Sequence, residues 1–70
     1  MLKVTERELK VLNLVAEGKT NSEIGSCLYI SIHTVKAYLE KLYEKFGVHN
    51  RVQLVIKAIQ LQIINQDNIN

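Results

Sequence analysis

Residues 20–46 read TNSEIGSCLYISIHTVKAYLEKLYEKF, a pattern that two helices with a very short connection account for. Thr20 stands three residues before Glu23. At that spacing a hydroxyl caps the third helical amide and the carboxylate caps the threonine's own amide. A helix is therefore predicted over 21–28, with Ile24 and Leu28 on one face. Gly25 inside it costs about 1 kcal/mol relative to alanine, which points to another helix backbone passing close by. Tyr29 and Ile30 form the connection, and Ser31 is a good cap for the helix that follows. That helix is predicted over 32–46, with Gly47 as its stop. Val35, Leu39, Leu42 and Phe46 recur at spacings of four, three and four, which makes one apolar stripe.

Working outward, Thr5 and Glu8 repeat the capping spacing and Gly18 supplies a stop, so a first helix is predicted over 6–17. Leu9, Leu12 and Ala16, with Val15 beside them, form its stripe. Glu6, Arg7 and Glu8 are assigned to the helix start, where acids suit the dipole. Asn50 caps a fourth helix over 51–64, and the polar run 65–70 is expected to fray. The expectation is an all-α fold: one four-helix, helix-turn-helix domain over 1–70, without repeat or linker.

Composition excludes several classes. The 70 residues carry one cysteine, so an intrachain disulfide and a multi-cysteine metal site are ruled out. The start MLKVTERELK holds acids and no long apolar run, which fits neither a signal peptide nor a membrane span. A net charge of +2 is too small to argue for an anionic partner by itself. His33 and His49 are isolated and read as surface side chains, not metal ligands. Glu40 and Glu44, one turn apart, read as a solvated face, not an acid/base pair. Cys27 is expected as a small buried or half-buried residue, and Tyr29, Tyr38 and Tyr43 as core aromatics with wet hydroxyls. No enzyme, cofactor, metal, small-molecule ligand or membrane contact is expected from so small a chain.

The chemistry lies in the short helix pair. A steep crossing makes the second helix project, so that it can enter a major groove. At about 100° per residue, the face opposite Val35–Leu39–Leu42–Phe46 carries His33, Lys36, Ala37, Glu40 and Glu44, with Thr34 and Lys41 at its margins. A long lysine beside a short alanine suits base edges: lysine donates to guanine, and alanine meets a thymine methyl. Lys36, Ala37 and His33 are the candidates for base contact, and Glu40 shares their face. Thr20 and Asn21 set polar groups beside free backbone amides, an arrangement suited to a phosphate. Lys41, Lys45 and Arg51 are the cationic candidates for the sugar–phosphate backbone.

Thr5-Glu6-Arg7-Glu8, Gly18, Asn21 with Glu23-Ile24, Ile30-Ser31, Thr34-Val35-Lys36, and Val48 followed by Arg51 occur together without insertion. In this the chain resembles the LuxR-type, or GerE-like, helix-turn-helix domain from Thr5 to about Ala58. The resemblance implies a third helix that reads the major groove, DNA contact at the positions of Lys36 and Ala37, and backbone contact at Thr34 and near Asn21. It also implies dimer contact through the fourth helix. The chain departs from the family pattern at Tyr38, where histidine is frequent, at Phe46, where leucine is usual, and at Gly25, where alanine is common. Glu40 occupies a position where some relatives carry a DNA-touching lysine, and this bears on the target sequence, not the fold.

The fourth helix has two apolar stripes, Leu54–Val55–Ala58–Leu61 and Val52–Ile56–Ile59–Ile63. One helix on a small domain needs only one, so the second is expected to meet another subunit. By the resemblance, the Leu54–Val55–Ala58 side is core and Val52, Ile56, Ile59 and Ile63 form the homodimer interface. The expected function is sequence-specific duplex DNA binding and transcription regulation in a bacterial cytoplasm, at the nucleoid when bound. The alternative is an interaction module that docks on a related regulator or on RNA polymerase.

Overall fold

The computed structural model describes residues 2–64, and the fraying expected of 65–70 lies outside them. Four helices and no strand make up these residues: α1 (Glu6–Ala16), α2 (Asn21–Leu28), α3 (Ile32–Phe46) and α4 (Arg51–Gln60). Each starts at a side chain that caps it. Thr5 and Thr20 accept from the amides of Glu8 and Glu23, whose carboxylates accept in return from Thr5 and Thr20. Ser31 accepts from the Thr34 amide, and Asn50 from that of Gln53.

The helix ends share one device. The residue after each last turn or its cap is left-handed: Gly18, Tyr29, Gly47 and Gln62. The amide one residue further on reaches back to a carbonyl of the helix, from Lys19 to Leu14, Ile30 to Gly25, Val48 to Tyr43, and Ile63 to Ala58. This is the reversal that satisfies the last carbonyls of a helix. Glycine does it without strain at two of the four, while Tyr29 and Gln62 adopt a conformation that side chains disfavour.

Two predicted boundaries move. The first helix ends at Ala16, one residue earlier than expected. The fourth ends at Gln60 and not at residue 64, because the chain reverses at Gln62. At about 100° per residue a continued helix would carry Ile64 roughly 80° away from the Leu54 line. The reversal instead sets Ile64 in the core at 5% exposure.

The core draws on all four helices. Val35, Leu39, Leu42 and Phe46, the stripe expected of α3, are all buried, against Ile24 of α2 and Leu54 and Ala58 of α4. On α1 the buried set is Val11, Leu12, Val15 and Ala16, whereas Leu9 is only half-buried. On α4, Val55 is half-buried and Leu61 exposed, so the expected core stripe is shorter than its sequence pattern. Tyr38 and Tyr43 pack against the core, but Tyr29 is 94% exposed and Cys27 is also at the surface, contrary to expectation.

Among the described residues, Glu8 is the one charged residue that is buried. Its carboxylate receives the Thr5 amide at 2.9 Å and the Lys45 ammonium at 2.7 Å, and that ammonium also donates to the Lys3 carbonyl. Burial pushes the Glu8 pKa up, yet the Lys45 bond, the Thr5 amide and the Lys45 charge outweigh it and hold the carboxyl below its ordinary value. Because the folded pKa is depressed, the stabilisation is complete above the ordinary carboxylate pKa and is lost as pH falls through the folded one. Glu8→Gln should cost about 1.5–3 kcal/mol at pH 7, the range for a hydrogen bond to a charged group. In thermal melts from pH 7 to pH 3 the gap between wild type and Glu8→Gln should close at the acid end.

Gly25 explains the crossing of α2 and α3. A Cβ built on it would lie 2.7 Å from the Ile30 carbonyl oxygen, and the Ile30 amide donates to the Gly25 carbonyl. The backbone that approaches is thus the turn after α2, not another helix. Gly25→Val should lower the melting temperature by about 10 °C, since overpacking costs about 1–3 kcal/mol and small domains shift about 4–8 °C per kcal/mol.

Candidate nucleic-acid interface

The turn held against Gly25 sends α3 away from α2 with its outer face open. His33, Lys36, Ala37 and Glu40 are exposed and line one shallow hollow on that face. Thr34, Ala37, Tyr38 and Lys41 line the adjoining one. Ala37 belongs to both, so the short side chain is the low point between long polar neighbours. Among the described residues, the side chains of His33, Lys36, Glu40 and Lys41 make no hydrogen bond or ion pair. Thr34 hydrogen-bonds Ser31 through its hydroxyl. The four residues expected at base edges are therefore brought together, with Thr34 and Lys41 alongside.

The remaining phosphate candidates are placed differently. Thr20 is closed on itself by the capping box: its oxygen accepts from the Glu23 amide and its amide donates to Glu23. The Thr20 amide, then its partial desolvation, then the Thr20 hydroxyl and Lys19 act on Glu23, and the balance lowers its pKa. Arg51 reaches across from α4, donating to the Asn21 side-chain oxygen at 3.1 Å and to the Lys19 carbonyl at 2.9 Å. A guanidinium only donates, so it takes the oxygen of Asn21 and leaves the amide's NH2 without a partner among the described residues. Lys45 is apart from both groups, on the α1 side of α3, where its ammonium neutralises Glu8. Lys45 and Arg51 were expected at phosphates; their charged ends are engaged inside the chain, one by a buried acid and the other by a loop carbonyl and an amide.

Sequence reading assigned Glu8 to the helix start alone and missed the Lys45 pair. A signal was present: Glu8 precedes Val11, Leu12 and Val15 by three, four and seven residues, and so shares their face.

The expected dimer residues split. Val52 and Ile56 are 66% and 51% exposed and line an apolar hollow with Val15, Val55 and the stem of Arg51. Ile59 and Ile63 are half-buried against the core, and Leu61 is an exposed apolar side chain at the same end of the chain. Among the described residues no helix is long and apolar enough to cross a membrane, and no three metal-ligating side chains cluster.

Known proteins share this arrangement. The chain is 44% identical over 62 residues to the transcriptional regulatory protein LiaR of Bacillus subtilis, covering 89% of this chain and 29% of that protein. It is 43% identical over 61 residues to the response regulator protein VraR of Staphylococcus aureus, again with 29% of the relative covered. The chain thus spans less than a third of the length of these relatives. A solved chain of the Vibrio cholerae VqmA dimer, one of the LuxR-type receptors, superposes on all of it with a TM-score of 0.87 at 36% identity, over 33% of its own length. The model of the bacterial regulatory proteins of the luxR family, regulators and not enzymes, matches residues 3–58, and the chain belongs to that family.

Proposed function

We propose that the chain binds duplex DNA as a dimer, with α3 in the major groove of one half-site per subunit, and so regulates transcription in the bacterial cytoplasm. The observation that carries this is the outer face of α3. His33, Lys36, Ala37 and Glu40 line one exposed hollow, and their polar side chains have no partner among the described residues. Unpaired donors and acceptors around a short side chain are what base edges require. Lys41 and Thr34 flank that face and serve the phosphates. The Asn21 amide, its oxygen taken by Arg51, adds a donor at the start of α2, beside the hydroxyl of Thr20. Lys45 and Arg51 brace these contacts from within the chain, and the N–H groups they have left over keep the phosphate role expected of them. The relatives' description as transcriptional regulators and response regulators agrees with this reading.

Binding to a duplex enriched from a random pool tests it. Lys36→Ala should weaken binding about tenfold or more, since a good base contact contributes about 1–3 kcal/mol. Lys41→Ala should weaken binding to all sequences alike and make the salt dependence shallower by about one in log–log slope. A module that only docks on a related regulator or on RNA polymerase would show no salt-sensitive duplex binding. Loss of less than twofold in Lys36→Ala would remove α3 as the reading element.

The dimer reading rests on Val52 and Ile56, large apolar side chains left in water beside the apolar hollow of α4. Ile59 follows on α4 with the edge it leaves exposed, whereas Ile63 lies beyond the reversal at Gln62 and off this helical stripe. Ile56→Glu should shift the chain to monomer mass in solution and remove the preference for two half-sites about 10 bp apart, leaving weak single half-site binding. Unchanged mass and affinity would place the interface elsewhere.

A further inference from the structure

We infer that Glu40 makes the recognition face select cytosine, so that with Lys36 it specifies a cytosine and a guanine in each half-site. The inference rests on the DNA reading above and narrows it to base identity. Glu40 lines the same hollow as His33, Lys36 and Ala37, and is exposed. Lys36, one turn earlier, forms no ion pair with it, and no other group among the described residues neutralises it. The carboxylate therefore meets the groove bare.

An ionised carboxylate only accepts hydrogen bonds. In the major groove guanine presents two acceptors, thymine an acceptor and a methyl, and adenine a donor beside an acceptor. Cytosine alone presents a donor with no acceptor of its own next to it. Three of the four bases thus set a lone pair or a methyl against Glu40 while its hydration is removed, which is costly. Selection arises as much from rejecting those three as from attracting cytosine. Lys36 donates, and guanine is the base that receives it best. Four residues of helix rise span about 6 Å. Base steps are about 3.4 Å apart. The guanine and cytosine thus lie about one or two base pairs apart.

Selection from a random duplex pool by the wild-type chain and by Glu40→Ala tests this, followed by isotherms on the enriched duplex and on one with the critical C·G replaced by T·A. The wild type should discriminate against the T·A duplex by about tenfold or more, while Glu40→Ala should bind both within about twofold. The variant should reach this by binding the T·A duplex more tightly than wild type does, a gain that a merely structural residue cannot produce. N4-methylcytosine at that position, which replaces the groove-facing hydrogen, should weaken wild type and leave Glu40→Ala unaffected. The melting temperature should not change, because the side chain has no partner to lose. If both chains enrich one motif with the same base at every position, the inference is overturned and the DNA reading stands. If neither enriches a motif, the DNA reading falls and this inference with it.

Discussion

The Ile30 carbonyl sits 2.7 Å from where a side chain on residue 25 would begin, and the direction of α3 depends on that space staying empty. The turn folds down onto α2 because the Ile30 amide donates to the Gly25 carbonyl and Tyr29 takes a left-handed conformation between them. This closeness lets Ile24 of α2 and Val35 of α3 reach the same core while the outer face of α3 remains clear of α2. Glycine weakens α2 as an isolated helix by about 1 kcal/mol, and the fold accepts that cost to obtain the approach. Tyr29 adds a second local cost, since its backbone is left-handed and its ring, 94% exposed, recovers nothing by burial. What holds the turn is the packing on either side of it, not the preferences of its own residues.

Cations near α3 and α4 divide by what they touch. Lys45 and Arg51 bind within the chain, the first to a carboxylate that is itself a helix cap, the second to the Lys19 carbonyl of the α1–α2 connection and to the Asn21 side chain at the start of α2. These bonds tie α3 to α1 and α4 to the start of α2, adding polar links to the apolar core. Removing the Lys45 ammonium would strand a buried carboxylate, which is why this pair contributes more than an exposed one. Lys36 and Lys41 touch nothing, and on a helix whose opposite side is wholly apolar that leaves them available to a partner.

Much of this was legible in the chain, for identifiable reasons. The limits of α2 and α3 were, because both begin at a capping side chain and α3 ends at a glycine. The α3 stripe was, because a strict four-three-four spacing leaves one way to bury it. The end of α4 was not: Gln62 does what glycine does after α1 and α3, and an apolar run through Ile64 reads as continued helix. Ile64 is buried because of the reversal, which no periodicity announces. Among the site residues, the cluster around Ala37 follows from helix geometry alone. The fates of Lys45 and Arg51 do not, because their partners are 37 and 30 residues away in sequence. A cation's chemistry is the same at a phosphate or at a buried acid, and only the fold decides between them.

The charge left on the outer face of α3 bears on how such a domain could hold DNA. Lys36 and Lys41 are set against Glu40 and Glu44, so these four sum to zero. Nonspecific affinity comes from neutralised phosphates, and a face with so little net charge supplies little of it. A single subunit would then depend on a few base-edge contacts at about 1–3 kcal/mol each, too few to hold a site against the many competing sequences of a genome. In the proposed dimer, two subunits joined through α4 would double those contacts within one binding event and raise the effective concentration of the second helix to the millimolar range. The exposed Val52 and Ile56 and the near-neutral α3 would then be two parts of one solution, with weak electrostatics suppressing binding at wrong sites and association between subunits restoring strength at the right one.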